Sequence, residues 1–166
     1  MKRRTFFSTS ALVLLSTFGV AMASPKTECE GLMNQALPIA ERMLREHGEF
    51  YPYAYVLETT GKSALLAARD GSERPKSKTL IDMIRIQFRD GAKAGKYRAT
   101  ALVYDVRVAN PSTGTKSDAI AVALDHRDGY SVVVIIPYTL KDGKYLPGPI
   151  SAQKGDTDIF QANESR

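Results

Sequence analysis

The densest run of ionisable side chains is Asp125-His126-Arg127-Asp128, where an imidazole stands among two carboxylates and a guanidinium. An imidazole titrates near neutrality, and a carboxylate beside it can orient the ring, which is what general acid–base chemistry requires. His126, Arg127 and Asp128 therefore form one candidate site, that of an envelope hydrolase or a small-ligand sensor with an approaching tyrosine. The same four residues also read as a solvated hairpin tip. His47, just before Gly48, reads as a cation in the last turn of a helix. Cys29 is the single cysteine, so no intramolecular disulfide can form. It reads as a small buried residue on a helix.

Other chemistries fail on spacing. A serine nucleophile set in a Gly-x-Ser-x-Gly turn is missing. Gly91-Ala92-Lys93-Ala94-Gly95-Lys96 imitates a phosphate loop, but it is one residue short and Tyr97 stands where a metal-binding hydroxyl belongs. The segment also follows a helical pattern and precedes a strand, the reverse of the required context. Histidines and cysteines have no metal-site spacing, and Asp156-Thr157-Asp158 falls far short of a calcium loop. The expectation is no metal and no cofactor.

Two surfaces could bind a partner instead. Tyr51, Tyr53 and Tyr55 alternate with Pro52 and Ala54, which on a strand puts three aromatic rings on one face. Exposed, that face is a rigid aromatic binding surface; covered by a helix, it is core with hydroxyls at the rim. The second surface is basic. Residues 62 to 98 hold ten basic side chains against four acidic ones, and Lys78, Arg85, Arg89 and Lys93 fall on one side of a helical pattern. Such a stripe steers acidic partners and also permits homodimerisation against an acidic face. Nucleic acid is not expected, since the formal charge of +5 falls to +2 once Lys2, Arg3 and Arg4 are set aside.

Those candidates need elements to hold them. Thr27 and Glu30 have capping-box spacing, and Leu32, Ala36, Ala40, Met43 and Leu44 recur at helical period, predicting a helix over 28–47 that Pro38 should kink. Phe50–Glu58 and Ser63–Arg69 read as a hairpin around Thr60-Gly61. A second helix, with Pro75 in its first turn, carries Leu80, Ile81, Met83, Ile84 and Phe88 to a stop near Gly91 or Gly95. Three strands follow, Tyr97–Val108, Asp118–His126 and Tyr130–Tyr138, and Asp142-Gly143 can close a further hairpin. Ser131–Ile136, nearly continuous in β-branched residues, reads as a strand covered on both faces.

The sum is an α+β domain: two helices and an antiparallel sheet of five or six strands in the order α-β-β-α-β-β-β. That element order is similar to the one used by profilin-like and roadblock-like domains; a cystatin-like sheet wrapped around the first helix is the alternative.

Residues 1 to 23 join a basic head, an apolar stretch from Ala11 to Val20 and Ala21-Met22-Ala23, the pattern of a cleaved secretory signal. Arg3-Arg4-Thr5-Phe6-Phe7 also resembles a twin-arginine signal, so the general secretory and twin-arginine routes both stay open. The apolar stretch is well short of the roughly 20 residues that span a bilayer. The expected organisation is a signal at 1–23, one domain at 24–150 and a loosely ordered tail at 151–166. The expected role is that of a periplasmic or secreted, non-enzymatic binding module for an envelope protein, of inhibitor or immunity type.

Overall fold

A computed structural model describes residues 23–109, 114–156 and 158–160. The export segment expected at 1–23 lies almost wholly outside them. Helix α1 (Pro25–His47) is followed by β1 (Tyr53–Glu58), β2 (Ser63–Ala67), helix α2 (Ser77–Lys93), β3 (Tyr97–Ala109), β4 (Lys116–His126), β5 (Ser131–Lys141), β6 (Lys144–Pro147) and β7 (Ser151–Lys154). The strands form one antiparallel sheet in the order β2-β1-β3-β4-β5-β6, with β7 also paired to β5. The α+β class and the element order are those expected; β6 closes the hairpin expected at Asp142-Gly143, and β7 adds a seventh strand beyond the five or six expected.

The helices lie on opposite faces of the sheet. Cys29, Leu32, Ala36, Ala40 and Leu44 of α1 pack with Tyr53, Leu57, Ala99, Ala101, Val103, Val122 and Leu124. Ile84 and Phe88 of α2 pack with the alternate residues Ala54, Val56, Leu102 and Ala123. The doubly covered strand is β4, buried throughout Ala119–Leu124, whereas β5 is only half-buried at Ser131–Val133 and Ile135. The difference between the two strands is positional. β4 is central and its α2-side residues are the short alanines 119, 121 and 123, while β5 has only the short edge strands beyond it.

Local chemistry sets the boundaries. Ser24, not Thr27, caps α1: its hydroxyl accepts from the Thr27 amide at 3.1 Å, and Pro25 occupies a first-turn position where a missing N–H costs nothing. Pro75 lies ahead of α2, which starts after Lys76. Asp142 and Gly143 both have positive φ, as a two-residue I′ hairpin requires. Pro137 sits within β5 at the gap between its β7 and β6 partners, where the strand's edge offers no ladder donor to lose.

Pro38 removes one amide from the middle of α1, and two residues to either side of it a strand side chain enters the helix ladder. The Tyr53 hydroxyl donates to the Ala36 carbonyl at 2.8 Å and accepts from the Ala40 amide at 3.0 Å, linking two groups that a regular helix pairs with each other. Burial pushes the phenol well above its ordinary pKa, against the lowering effect of the Ala40 amide. Tyr53→Phe should therefore cost about 1–3 kcal/mol of stability by leaving buried backbone groups without their partner, whereas Tyr51→Phe, at an exposed position, should stay within about 0.5 kcal/mol. Urea titrations of the two variants compare them directly.

Candidate functional site

Glu28 stands in the first turn of α1, where the helix dipole favours a carboxylate. One of its oxygens takes Arg98 Nη2 from the start of β3 at 2.7 Å, and the other takes His126 Nε2 from the end of β4 at 3.0 Å. The His126 ring is 3% exposed. Its Nδ1 accepts the backbone N–H of Asp128 at 3.0 Å, which requires a lone pair there and so puts the ring hydrogen on Nε2, donated to Glu28. Both ring nitrogens are thus engaged by the protein.

A general base needs a ring nitrogen within reach of a substrate proton, and His126 offers none. The geometry instead pins the α1 N-terminus to the ends of β3 and β4. Arg127 points outward with its side chain 47% exposed, and its amide donates to the Arg98 carbonyl. Asp128 lies 3.6 Å from His126 Nδ1 on the exposed side of the turn. Of the candidate trio, then, one member is buried and two are at the surface. The residues that complete the cluster, Glu28 and Arg98, carried no signal in the sequence because nothing local marks a contact spanning 98 positions.

Cys29 is fully buried beside this cluster, and burial together with Asp125, Glu28 and Glu30 pushes its thiol up to about 12. It packs as core and offers no thiolate at neutral pH. Among the described residues, no three His, Cys, Asp or Glu side chains converge in a way that could hold a metal ion.

The three tyrosines do not share an exposed face. Tyr51 precedes β1 and is 49% exposed, Tyr53 is buried with its hydroxyl inside α1, and Tyr55 is half-buried against the same core. Alternation holds for Tyr53 and Tyr55, but the face they share is the one α1 covers.

The basic stripe is at the surface on α2, and it is occupied. Arg85 reaches Asp156 at 3.3 Å and Asp158 at 3.6 Å, and Arg89 reaches Asp158 at 3.0 Å. Lys93 is exposed one turn further on. The carboxylates come from the segment expected to be a loosely ordered tail. Its described residues include β7, which pairs with Val132–Ile135, and Ile159, 5% exposed among Ile84, Phe88 and Ala123.

Beneath this segment lies Asp125, on the α2 side of β4. Its carboxylate accepts the Ser131 hydroxyl at 2.6 Å. Burial raises its pKa, the Ser131 bond opposes the rise, Asp158 and Asp156 add to it, and Arg85 lowers it.

Two predictions follow from these clusters. Glu28→Gln deprives Arg98 and His126 of their shared carboxylate and should cost about 3 kcal/mol, read as a shift of the urea midpoint. For Asp125 the folded pKa exceeds the unfolded one, so its contribution to stability is greatest below about pH 4 and is lost as pH rises through the folded value. Asp125→Asn keeps an acceptor for Ser131 and should raise Tm near pH 7 while leaving it almost unchanged near pH 4. An equal effect at both pH values would contradict this.

No protein-family model matches this chain, and comparison with curated proteins and with solved structures finds no similar one.

Proposed function

We propose that the chain is a small exported interaction module, carried to the periplasm or the medium by residues 1 to 23, that acts by holding a protein partner in the manner of an inhibitor or immunity protein. The observation that supports this reading is the α2 stripe. Arg85 and Arg89, one helical turn apart, hold two carboxylates while Ile84 and Phe88 beside them receive an aliphatic side chain. Paired guanidiniums over an apolar floor are a means of recognising an acidic segment of another chain, since arginine forks fit carboxylates and the apolar contact supplies area. Lys93 extends the same stripe at an exposed position.

The competing catalytic reading depends on His126, whose two nitrogens are both spent inside the fold. Nothing in the arrangement favours it over binding. Immobilised protein incubated with an envelope extract should retain one stoichiometric partner, released at high salt. The Arg85→Glu/Arg89→Glu variant should fail to retain it. Retention unaffected by that substitution would remove the stripe from the function, and an empty capture would argue against a partner altogether.

A further inference from the structure

The segment after β6 meets the rest of the domain in three ways at once. β7 adds a strand to β5 along Val132–Ile135, Asp156 and Asp158 sit against Arg85 and Arg89, and Ile159 enters the apolar cluster under α2 with Phe160 packed beside it. Gly155 makes the crossing. Its amide donates to the Ser131 carbonyl at 3.1 Å, and a Cβ there would collide with the Ser131 side chain and press on the Val132 amide. Strand addition, a charged clamp and one buried anchor are the elements of a peptide-recognition site.

The grip on this segment is weak by its own physics. All four β7 residues are exposed, and the ion pairs are partly solvated, where such pairs contribute little. The half-buried Asp125 carboxylate faces Asp156 and Asp158, with Ser131 and Arg85 as its other neighbours, so part of the local field opposes the docked acidic residues.

We propose that the groove between α2 and β5 is the partner-binding site, and that residues 151–156 and 158–160 occupy it in cis as a displaceable stand-in for the partner. The inference rests on the binding-module reading and specifies the partner's chemistry. It is an extended segment that pairs with β5, presents two carboxylates two residues apart to Arg85 and Arg89, and follows them at once with an aliphatic residue that replaces Ile159.

The probe is a fluorescently labelled peptide of residues 150 to 160, titrated into the protein and read by anisotropy. The unaltered protein, with its site already filled, should bind weakly. Asp156→Lys/Asp158→Lys, which sets the resident segment against the arginines, should bind about tenfold or more tighter, because a greater fraction of molecules presents an open site. Adding Arg85→Glu/Arg89→Glu should abolish the gain. Should the double lysine variant fail to fold, Ile159→Ala removes only the buried anchor and serves the same comparison.

A folded, released variant that binds no better than the unaltered protein overturns the proposal, as does a gain that survives the arginine substitutions. The two readings separate cleanly. Peptide binding as described with no envelope partner leaves the groove and removes the exported-partner role. A captured partner indifferent to Asp156→Lys/Asp158→Lys does the reverse.

Discussion

Hydrogen bonds between the Tyr53 hydroxyl and the backbone of α1, made on either side of the proline that withdraws an amide from the middle of that helix, set where α1 lies on the sheet. Tyr53 rises from the first residue of β1 and places its hydroxyl between the Ala36 carbonyl and the Ala40 amide. That one side chain ties strand to helix by direction as well as by area, since hydrogen bonds are directional and hydrophobic burial is not. Seven residues before Ala36, Cys29 is already in the core, and just before it Glu28 reaches Arg98 and His126. The helix is therefore held at its first turn and at its middle. β1 and β3 must then present Tyr53, Leu57, Ala99, Ala101 and Val103 to its underside.

With that face closed, the other face of the sheet is the one on which exchangeable contacts remain. α2 covers β1 and β3 there, and its packing extends through Gly91, where the Tyr97 ring occupies the space a Cβ would need. Over β4 and β5 the covering is left to the end of the chain. The two charged clusters differ accordingly. Glu28, Arg98 and His126 have side chains 9%, 19% and 3% exposed, so their loss would leave buried charge or unpaired groups. Arg85, Arg89, Asp156 and Asp158 are wetter and each pair can exchange partners at small cost. Similar residue types thus act as a fixed staple on one side of the sheet and a replaceable clamp on the other.

The outer edges fit the same division. β2 is short, and β6 and β7 share the β5 edge end to end with Pro137 at their junction. Short edges and a proline limit uncontrolled strand pairing. The β7 position is the exception, a strand whose residues are all exposed and whose continuation is held by the Arg85 and Arg89 ion pairs and by the buried Ile159.

Local chemistry was sufficient for the elements up to β6 but not for β7, which lies in the stretch expected as a loose tail. Helical period, the Thr60-Gly61, Arg127-Asp128-Gly129 and Asp142-Gly143 turns and the alternation of β1 all depend on a few neighbouring residues, and each appears in the fold where the sequence put it. Period two also established that Tyr53 and Tyr55 share a face, but it carries no information on which face a helix will cover, so the exposed aromatic surface became core. The basic stripe was legible as a stripe. Its counter-charges were not, because Asp156 and Asp158 are about seventy positions away and are carried to α2 by the pairing of β7 with β5. His126 shows the same limit from inside: its type suggested acid–base chemistry, and while the neighbouring Asp128 amide takes Nδ1, only the arrival of Glu28 from the far end of the chain decided that Nε2 would serve the fold as well.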